Sequence, residues 1–154
     1  MSSANKPEET PLFIDTGAFY ARFVETAQRH DRATAVFEAI GEGEAAYRPL
    51  YSSTYVLDEL ATLILSHHDH EGATAALDRV RQSPTTVIHP DRVDFDRTCK
   101  QFARYDDHEI SFTDHMTGVL AADRDIKHVF TFDSDHFRTL GFTAVPDDTG
   151  DDSR

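Results

Sequence analysis

Two short, largely apolar runs in this chain each end in an aspartate. Residues 12–14 (Leu-Phe-Ile) precede Asp15, and residues 129–132 (Val-Phe-Thr-Phe) precede Asp133. Runs of this kind predict strands buried on both faces, as in a parallel sheet covered by helices. The ligand site of an open parallel sheet lies beyond the carboxyl ends of its strands, so we expect the two carboxylates to meet there. Each acid also has a plain alternative, Asp15 as a turn residue and Asp133 as a helix cap.

Strand-like runs alternate with helical patterns along most of the chain. Five strands are predicted, at residues 12–15, 47–52, 85–89, 128–132 and 142–145. Apolar residues at helical spacing predict helices that begin near Thr16, Asp31, Ser53 or Thr54, residue 71, Asp91 and Ser111. This alternation indicates an α/β fold with a mainly parallel central sheet of about five strands flanked by helices. Pro49 restricts the second strand to an edge of the sheet or to its own start.

The length indicates one domain with a single core. A chain of 154 residues is long enough for one well-buried domain and too short for two ordinary ones. We place the domain at residues 11–146 and expect a polar disordered tail at residues 1–10 and an acidic disordered tail at residues 147–154. The first residues have no apolar core of a secretory signal, and no run approaches the roughly 18 apolar residues of a membrane span. We therefore expect a cytoplasmic protein.

Two further acids fall on predicted helices and could join the first pair. Asp114 lies three residues after Ser111, a spacing typical of a capping box, so it can cap a helix, join a site or do both. Glu59 and Asp58 flank the apolar stripe of an earlier helix on opposite sides, and the periodicity does not choose between them. Converging acids repel one another unless a cation lies between them. The pattern therefore predicts an oxygen-rich site for magnesium or manganese.

The charge balance limits the classes of partner. Asp and Glu total 28 against 15 Lys and Arg, which gives a formal net charge of −13. This argues against a passive nucleic-acid binder with a basic patch, because such binding draws its affinity from cations placed against phosphates. A nuclease remains compatible, since a bound metal ion inverts the local charge. Scarce lysine beside surplus aspartate also favours a halophilic protein, whose self-repulsion is screened within about 3 Å at 1 M salt.

Four fragments, taken in order, carry a family resemblance. They are residues 13–16 (Phe-Ile-Asp-Thr), 56–60 (Val-Leu-Asp-Glu-Leu), 110–114 (Ile-Ser-Phe-Thr-Asp) and 131–137 (Thr-Phe-Asp-Ser-Asp-His-Phe). Over about residues 11–146 the chain resembles the PIN-domain ribonucleases. The resemblance implies catalytic, metal-binding roles for Asp15, Glu59, Asp114 and Asp133, and supporting roles for Thr16 and Thr131. Some members carry a further acid near the end of the fourth fragment, where this chain has His136, with Asp135 one residue earlier as an optional support.

The function that this resemblance implies is a metal-dependent endoribonuclease. Asp15, Asp114 and Asp133 would hold one magnesium or manganese ion, Glu59 would hold a second ion or a water molecule, and the metal would activate water against the RNA phosphodiester. Single-domain PIN proteins of this size are most similar to VapC-type toxins of toxin-antitoxin systems, which implies an antitoxin partner and often a homodimer. The candidates for contacts with the RNA backbone are Arg22, Arg48, Arg104 and Arg138.

Two other functions stay open within the same fold. One is an RNA-processing PIN nuclease outside a toxin-antitoxin system, and the other is a PIN-like binding or scaffold module that does not cleave. The presence of all four acids counts against the second. A phosphoaspartyl enzyme of the haloacid dehalogenase type would need an acid two positions after Asp15, where this chain has Gly17. We interpret Cys99 as a packing residue and His115 as an exposed helix residue.

Overall fold

Five short strands form one parallel sheet at the centre of the computed structural model, which describes residues 8–152. The strands are β1 (Thr10–Ile14), β2 (Tyr47–Ser53), β3 (Thr86–Ile88), β4 (His128–Phe130) and β5 (Thr143–Val145). Neighbouring strands all pair in parallel, in the order β3-β2-β1-β4-β5. The predicted fold class is confirmed.

Seven helices connect these strands within residues 8–152. They are α1 (Thr16–Phe23), α2 (His30–Gly41), α3 (Thr54–His67), α4 (His70–Gln82), α5 (Arg92–Arg104), α6 (Phe112–Asp123) and α7 (Ser134–Thr139). The side chains of Ser53, Asp91 and Ser111 accept backbone N–H groups and so cap α3, α5 and α6. Asp31 was expected to cap α2 but lies in its first turn, because that helix already begins at His30.

Strand β1 lies in the middle of the sheet, and its last three residues are completely buried. Leu12, Phe13 and Ile14 are all 0% exposed. Since successive side chains of a strand point to opposite faces, burial of all three means that helices cover the sheet on both sides. The strand order reverses beside β1, with β2 on one side and β4 on the other. Ligand sites of doubly wound folds lie at such a switch point, beyond the carboxyl ends of the strands.

Pro49 was expected to restrict β2 to an edge of the sheet or to lie at the start of the strand; β2 is not an edge strand, and Pro49 is its third residue. Strand β2 pairs with β1 on one side and with β3 on the other. The ladder to β1 pairs Thr10 with Tyr47 and Leu12 with Leu50, so β2 has one more residue than β1 between these two pairs. The proline lies in this bulge, where it does not need to donate a ladder hydrogen bond.

Residues 147–152, here called the C-terminal acidic segment, are also unlike the expectation. They fold back onto the domain instead of forming a disordered tail. Asp147 and Asp152 accept hydrogen bonds from the guanidinium of Arg32 at 2.7 and 2.6 Å, and Asp148 accepts one from Arg138 at 2.6 Å. Asp151 accepts one from the hydroxyl of Tyr47 at 2.6 Å. Arg32 lies 115 positions before Asp147 and 120 before Asp152, so tail composition alone could not indicate this packing.

The two ends of the chain otherwise lie outside the described residues. The predicted N-terminal tail covers residues 1–10, of which residues 1–7 are outside this range, and β1 already begins at Thr10. Residues 153 and 154 are outside it as well. Among the helices of residues 8–152, none is long and apolar enough to cross a membrane.

Candidate metal centre

Asp15 follows β1 directly and is held at the carboxyl edge of the sheet. Its backbone N–H donates to the carbonyl of Phe130 on β4 at 2.9 Å, and its Oδ2 accepts the hydroxyl of Thr131 at 2.8 Å. The side chain is only 1% exposed, and its Oδ1 has no hydrogen-bond partner among the described residues. Although Asp15 precedes α1, its side chain makes no capping bond to that helix. The helix-cap function therefore does not explain this acid.

Thr131 connects Asp15 to the second strand-end acid, Asp133. Its Oγ1 donates to Asp15 and accepts the backbone N–H of Asp133 at 2.9 Å. Asp133 occupies the position before α7, but it too makes no side-chain capping bond. Asp133 is exposed, whereas Thr131 is completely buried. The buried hydroxyl thus bonds to the Asp15 side chain and to the Asp133 backbone. Its supporting role stays a prediction.

Asp114 makes different contacts through its backbone and its side chain. Its backbone N–H donates to Oγ of Ser111 at 3.1 Å and so completes the cap of α6. Its carboxylate points elsewhere, with Oδ2 lying 3.1 Å from Nδ1 of His136 on α7. The Asp114 residue is only 4% exposed. The Ser111 half of the predicted capping box is therefore present, the Asp114 side chain does not complete it, and its role in a metal site stays a prediction.

The structure separates Glu59 from its neighbour Asp58. Glu59 is half-buried on α3, and its charge helps to raise the pKa of Asp114. Asp58 is exposed and lines a different groove, together with Arg81 and His89. Glu59 therefore lies close enough to Asp114 for its charge to act there, whereas Asp58 lines another groove.

The surroundings of Asp15 and Asp114 disfavour the ionised forms of their carboxyl groups. Burial raises the pKa of Asp15 well above its usual range, and the charges of Asp114 and Asp133 add to the rise, while bonds from Thr131 and the Thr16 backbone oppose it. Burial also raises the pKa of Asp114 to about 7, with further contributions from Asp133 and Glu59. A divalent cation among these acids would favour their ionised forms.

The side chains closest to forming a ligand set are Asp114, Asp133 and His136. One oxygen of each acid and one ring nitrogen of the histidine all lie within 4.8 Å of one another. Asp15 adds its unpartnered buried oxygen beside Thr131. Carboxylate oxygens with an imidazole nitrogen suit a divalent metal ion, so the residues present fit the predicted kind of site.

Two predicted supporting residues have different outcomes. Thr16 lies beside Asp15, is 2% exposed, and its Oγ1 has no partner within residues 8–152. The side chain of Asp135 is 96% exposed and pairs with Arg138 at 3.0 Å. Successive residues of a helix point about 100° apart, so His136 faces the centre and Asp135 does not. His136 was missing from the predicted site, although its place in the fourth fragment was the signal for it.

Two of the plain interpretations outside the centre are wrong. His115 is 1% exposed, because α5 packs over it: its Nδ1 lies 2.8 Å from the amide nitrogen of Gln101, and the rings of Phe102 and Tyr105 are in contact with it. Cys99 lies on the outer side of α5 and is exposed. Both errors depend on the direction from which α5 packs on α6.

The four arginine candidates for RNA contact lie in different surroundings. Arg138 is paired with Asp148 and Asp135. Arg22 is half-buried and donates to the hydroxyl of Thr34 at 3.5 Å. The other two, Arg48 and Arg104, are exposed.

This arrangement defines a class: a doubly wound parallel α/β domain with a carboxylate centre at its switch point. The sequence profile of the family described as PIN domain matches residues 12–142. The chain belongs to the PIN domain family. No curated protein matches it closely enough to count as a relative.

Several solved structures have the same fold. VapC20 of Mycobacterium tuberculosis, described as a sarcin-ricin loop cleaving toxin, has a TM-score of 0.76 and 24% identity, and the match covers 86% of this chain and 96% of that one. VapBC2 of Rickettsia felis, solved with a DNA fragment from its promoter, has a TM-score of 0.63 and 13% identity over 88% and 97% of the two chains. FitAcB of Neisseria gonorrhoeae has a TM-score of 0.60 and 15% identity over 86% and 95%. At these identities the likeness establishes the fold.

Proposed function

We propose that this PIN domain is a cytoplasmic, magnesium- or manganese-dependent endoribonuclease, and that it is the toxin of a toxin-antitoxin pair. The observation that carries the proposal is the convergence of Asp15, Asp114, Asp133 and Glu59 at the switch point of the sheet. Within residues 8–152, neither lysine nor arginine forms an ion pair with any of these four acids. An unneutralised group of partly buried acids is what a divalent metal site requires and what structural stability disfavours.

Each acid has a distinct task in this proposal. Asp15, Asp114 and Asp133 would hold the ion directly, and Glu59 on α3 would hold a second ion or orient a water molecule. When bound, the ion supplies Lewis acidity, which favours ionisation of water and neutralises negative charge on the phosphate. Thr131 bonds to the Asp15 carboxylate and to the Asp133 backbone and so would orient both acids. The unpartnered hydroxyl of Thr16 is available to donate to the substrate or to a ligand of the metal.

Substrate choice follows from the same chemistry. Because the proposed attacking group is water, the 2′-hydroxyl of RNA is not needed for the reaction, and preference for RNA must come from substrate shape. A net charge of −13 gives no general attraction for polyanions. We therefore expect selective cleavage of a structured RNA instead of general degradation.

The partners in this proposal are an antitoxin and a second copy of the chain. The fold is that of VapC20, which is described as a toxin, and of proteins solved as VapBC assemblies. A homodimer would also cover apolar surface. Helix α5 exposes Val93, Phe95 and Phe102 to solvent, and apolar patches of this kind mark interaction sites. Sedimentation of the purified chain and co-purification of a small inhibitory partner test these two points.

The first prediction is cleavage that depends on the metal and on Glu59. The purified protein is incubated with ribosomal RNA that contains the sarcin-ricin loop, the element that VapC20 cleaves, and with an unstructured RNA. Products should form with Mg²⁺ or Mn²⁺ and cease in excess chelator. Glu59→Gln should lower the rate by about 10²-fold or more, since it removes a group that acts on charge in the transition state.

The neighbouring acid provides a matched control for this experiment. Asp58→Asn removes the same charge from the same helix, but on a surface that does not face the centre. It should leave the rate within a few fold of wild type. Undiminished cleavage in chelator, or equal losses in both variants, would contradict the proposal.

A further inference from the structure

His136 holds a position in which most of the surrounding polar groups are acids. It lies in the first turns of α7, and its side chain is 35% exposed. Its Nδ1 is 3.1 Å from Oδ2 of Asp114, and the Nδ1 or Nε2 atom that can serve as a ligand lies within 4.8 Å of an oxygen of Asp133. An imidazole is therefore a part of this centre and not merely a neighbour of it.

A second observation indicates that a ligand belongs among these groups. Asp15 is 1% exposed, and its Oδ1 has no hydrogen-bond partner among the described residues. The same carboxyl group is close enough to Asp114 and Asp133 for both charges to raise its pKa. A buried carboxylate oxygen that is left without a partner is costly unless something else binds it. The donor set then contains oxygens from three aspartates and one nitrogen from His136.

We infer that His136 is a nitrogen ligand of the metal ion, and that it makes the centre selective for a first-row transition ion such as Mn²⁺ over Mg²⁺. The inference rests on the proposed function only in taking this centre as the metal site. Mg²⁺ prefers oxygen ligands and retains its waters. The first-row divalent ions, from Mn²⁺ upward, accept a nitrogen ligand more readily than Mg²⁺ does, with affinity that rises from Mn²⁺ to Cu²⁺. Without the ion, Nδ1–H of His136 donates to the Asp114 carboxylate. With the ion, the ring nitrogen that faces it would supply the lone pair, and the other nitrogen would carry the proton.

The competing role for His136 is that of a hydrogen-bond donor that only orients Asp114. In that role the ring would touch the carboxylate and never the ion. Direct ligation predicts a magnetic coupling between bound Mn²⁺ and a histidine nitrogen, and a change in the preference between two metals. Orientation through Asp114 alone predicts neither, because both ions would then meet the same oxygen ligands.

The experiment uses the full chain and measures binding, not cleavage. Pulsed electron paramagnetic resonance of bound Mn²⁺ should reveal a ¹⁴N coupling in wild type, which becomes a ¹⁵N coupling when histidine is labelled. Calorimetric titrations with Mn²⁺ alone and with Mg²⁺ alone give the ratio of the two dissociation constants. The variants are His136→Asp, which supplies an oxygen ligand, and His136→Gln, in case the extra acid prevents folding. His67→Gln is the control, since His67 is exposed at the end of α3.

Loss of the nitrogen ligand should abolish the coupling and lower the Mn²⁺ preference by at least about tenfold, because even residues that only support ligands change metal affinity by 10-fold or more. The His67→Gln variant should retain both properties. A nitrogen coupling that persists in both His136 variants, or an unchanged preference ratio, would overturn the inference. Nitrogen-coupled Mn²⁺ in a protein that cleaves no RNA supports the ligand assignment and refutes only the proposed function. Metal-dependent cleavage without a nitrogen coupling supports the proposed function and refutes the ligand assignment.

Discussion

Aspartates in two regions of this molecule have opposite electrostatic surroundings. At the metal centre, Asp15 and Asp114 face other acids in a buried setting, and their pKa values are raised. In the C-terminal acidic segment, hydrogen bonds from Ser134 and Arg32 lower the pKa of Asp147, and Arg138 lowers that of Asp148. The surroundings thus disfavour the ionised form of aspartate at the centre and favour it in the C-terminal acidic segment. The first arrangement is what the proposed metal site would require, and the second stabilises the fold.

The two regions also respond to pH in separate windows. A raised folded pKa means that ionisation of Asp114 opposes folding above about pH 7, and this penalty fades as the pH falls toward the unfolded value near 4. A lowered folded pKa means that Asp147 and Asp148 stabilise the fold above the unfolded value near 4, and lose that contribution as the pH falls below it. In chelator, moderate acidification should therefore relieve the centre before it weakens the segment.

A change in salt concentration is expected to have the largest effect on the stability of the fold. We propose that the protein needs molar salt for a cooperative fold, because a net charge of −13 repels itself and salt screens that repulsion. Far-ultraviolet circular dichroism should report loss of the fold during dialysis into dilute buffer. Chelator stays present throughout, so that divalent ions do not contribute. A cooperative, unchanged fold at low salt would contradict this proposal. The acidic residues would then contribute to solubility, and the repulsion among them would be too weak to unfold the protein.

A smaller effect is expected when the C-terminal acidic segment loses its main cation. Arg32→Ala removes the pairs with Asp147 and Asp152, and it should lower the free energy of unfolding by about 1 kcal/mol, since exposed pairs each contribute roughly 0.2–1 kcal/mol. Amide hydrogen exchange should accelerate within residues 147–152. The control is Arg97→Ala, which breaks an exposed pair with Asp123 elsewhere. If exchange in the segment is equal in both variants, Arg32 does not hold it in place.

Much of the centre was predictable because it depends on local patterns. The apolar runs before Asp15 and Asp133 define strand ends, and the parallel sheet then brings those ends together. The spacing from Ser111 to Asp114 predicts a capping box, of which the structure confirms the bond from the Asp114 N–H to the Ser111 side chain. The choice of Glu59 came from the family resemblance alone, since the helical pattern did not distinguish it from Asp58.

The remaining features depend on contacts between segments far apart in sequence. Arg32 and Asp152 are 120 positions apart, so composition alone indicated a tail where the fold forms a pair. Burial of His115 depends on how α5 packs, and tolerance of Pro49 depends on a bulge against β1. The difference between Asp135 and His136 arises from the direction in which α7 leaves the sheet. Local periodicity encodes none of these contacts between distant segments.

The most direct test of the central claim compares two acids at the same helix position. Asp94 and Asp114 both lie three residues after a capping residue, but the side chain of Asp94 completes a capping box, whereas that of Asp114 faces the metal centre. The measurement is the free energy of unfolding of wild type, Asp94→Asn and Asp114→Asn by denaturant titration in chelator, at pH 8 and one fixed salt concentration. Asp94→Asn should destabilise the protein by roughly 0.3–1 kcal/mol.

Asp114→Asn should leave stability unchanged or higher, because it removes a repelling charge, while metal-dependent cleavage falls by orders of magnitude. A loss of stability equal to that of Asp94→Asn, with wild-type cleavage, would make Asp114 an ordinary cap and contradict the metal centre.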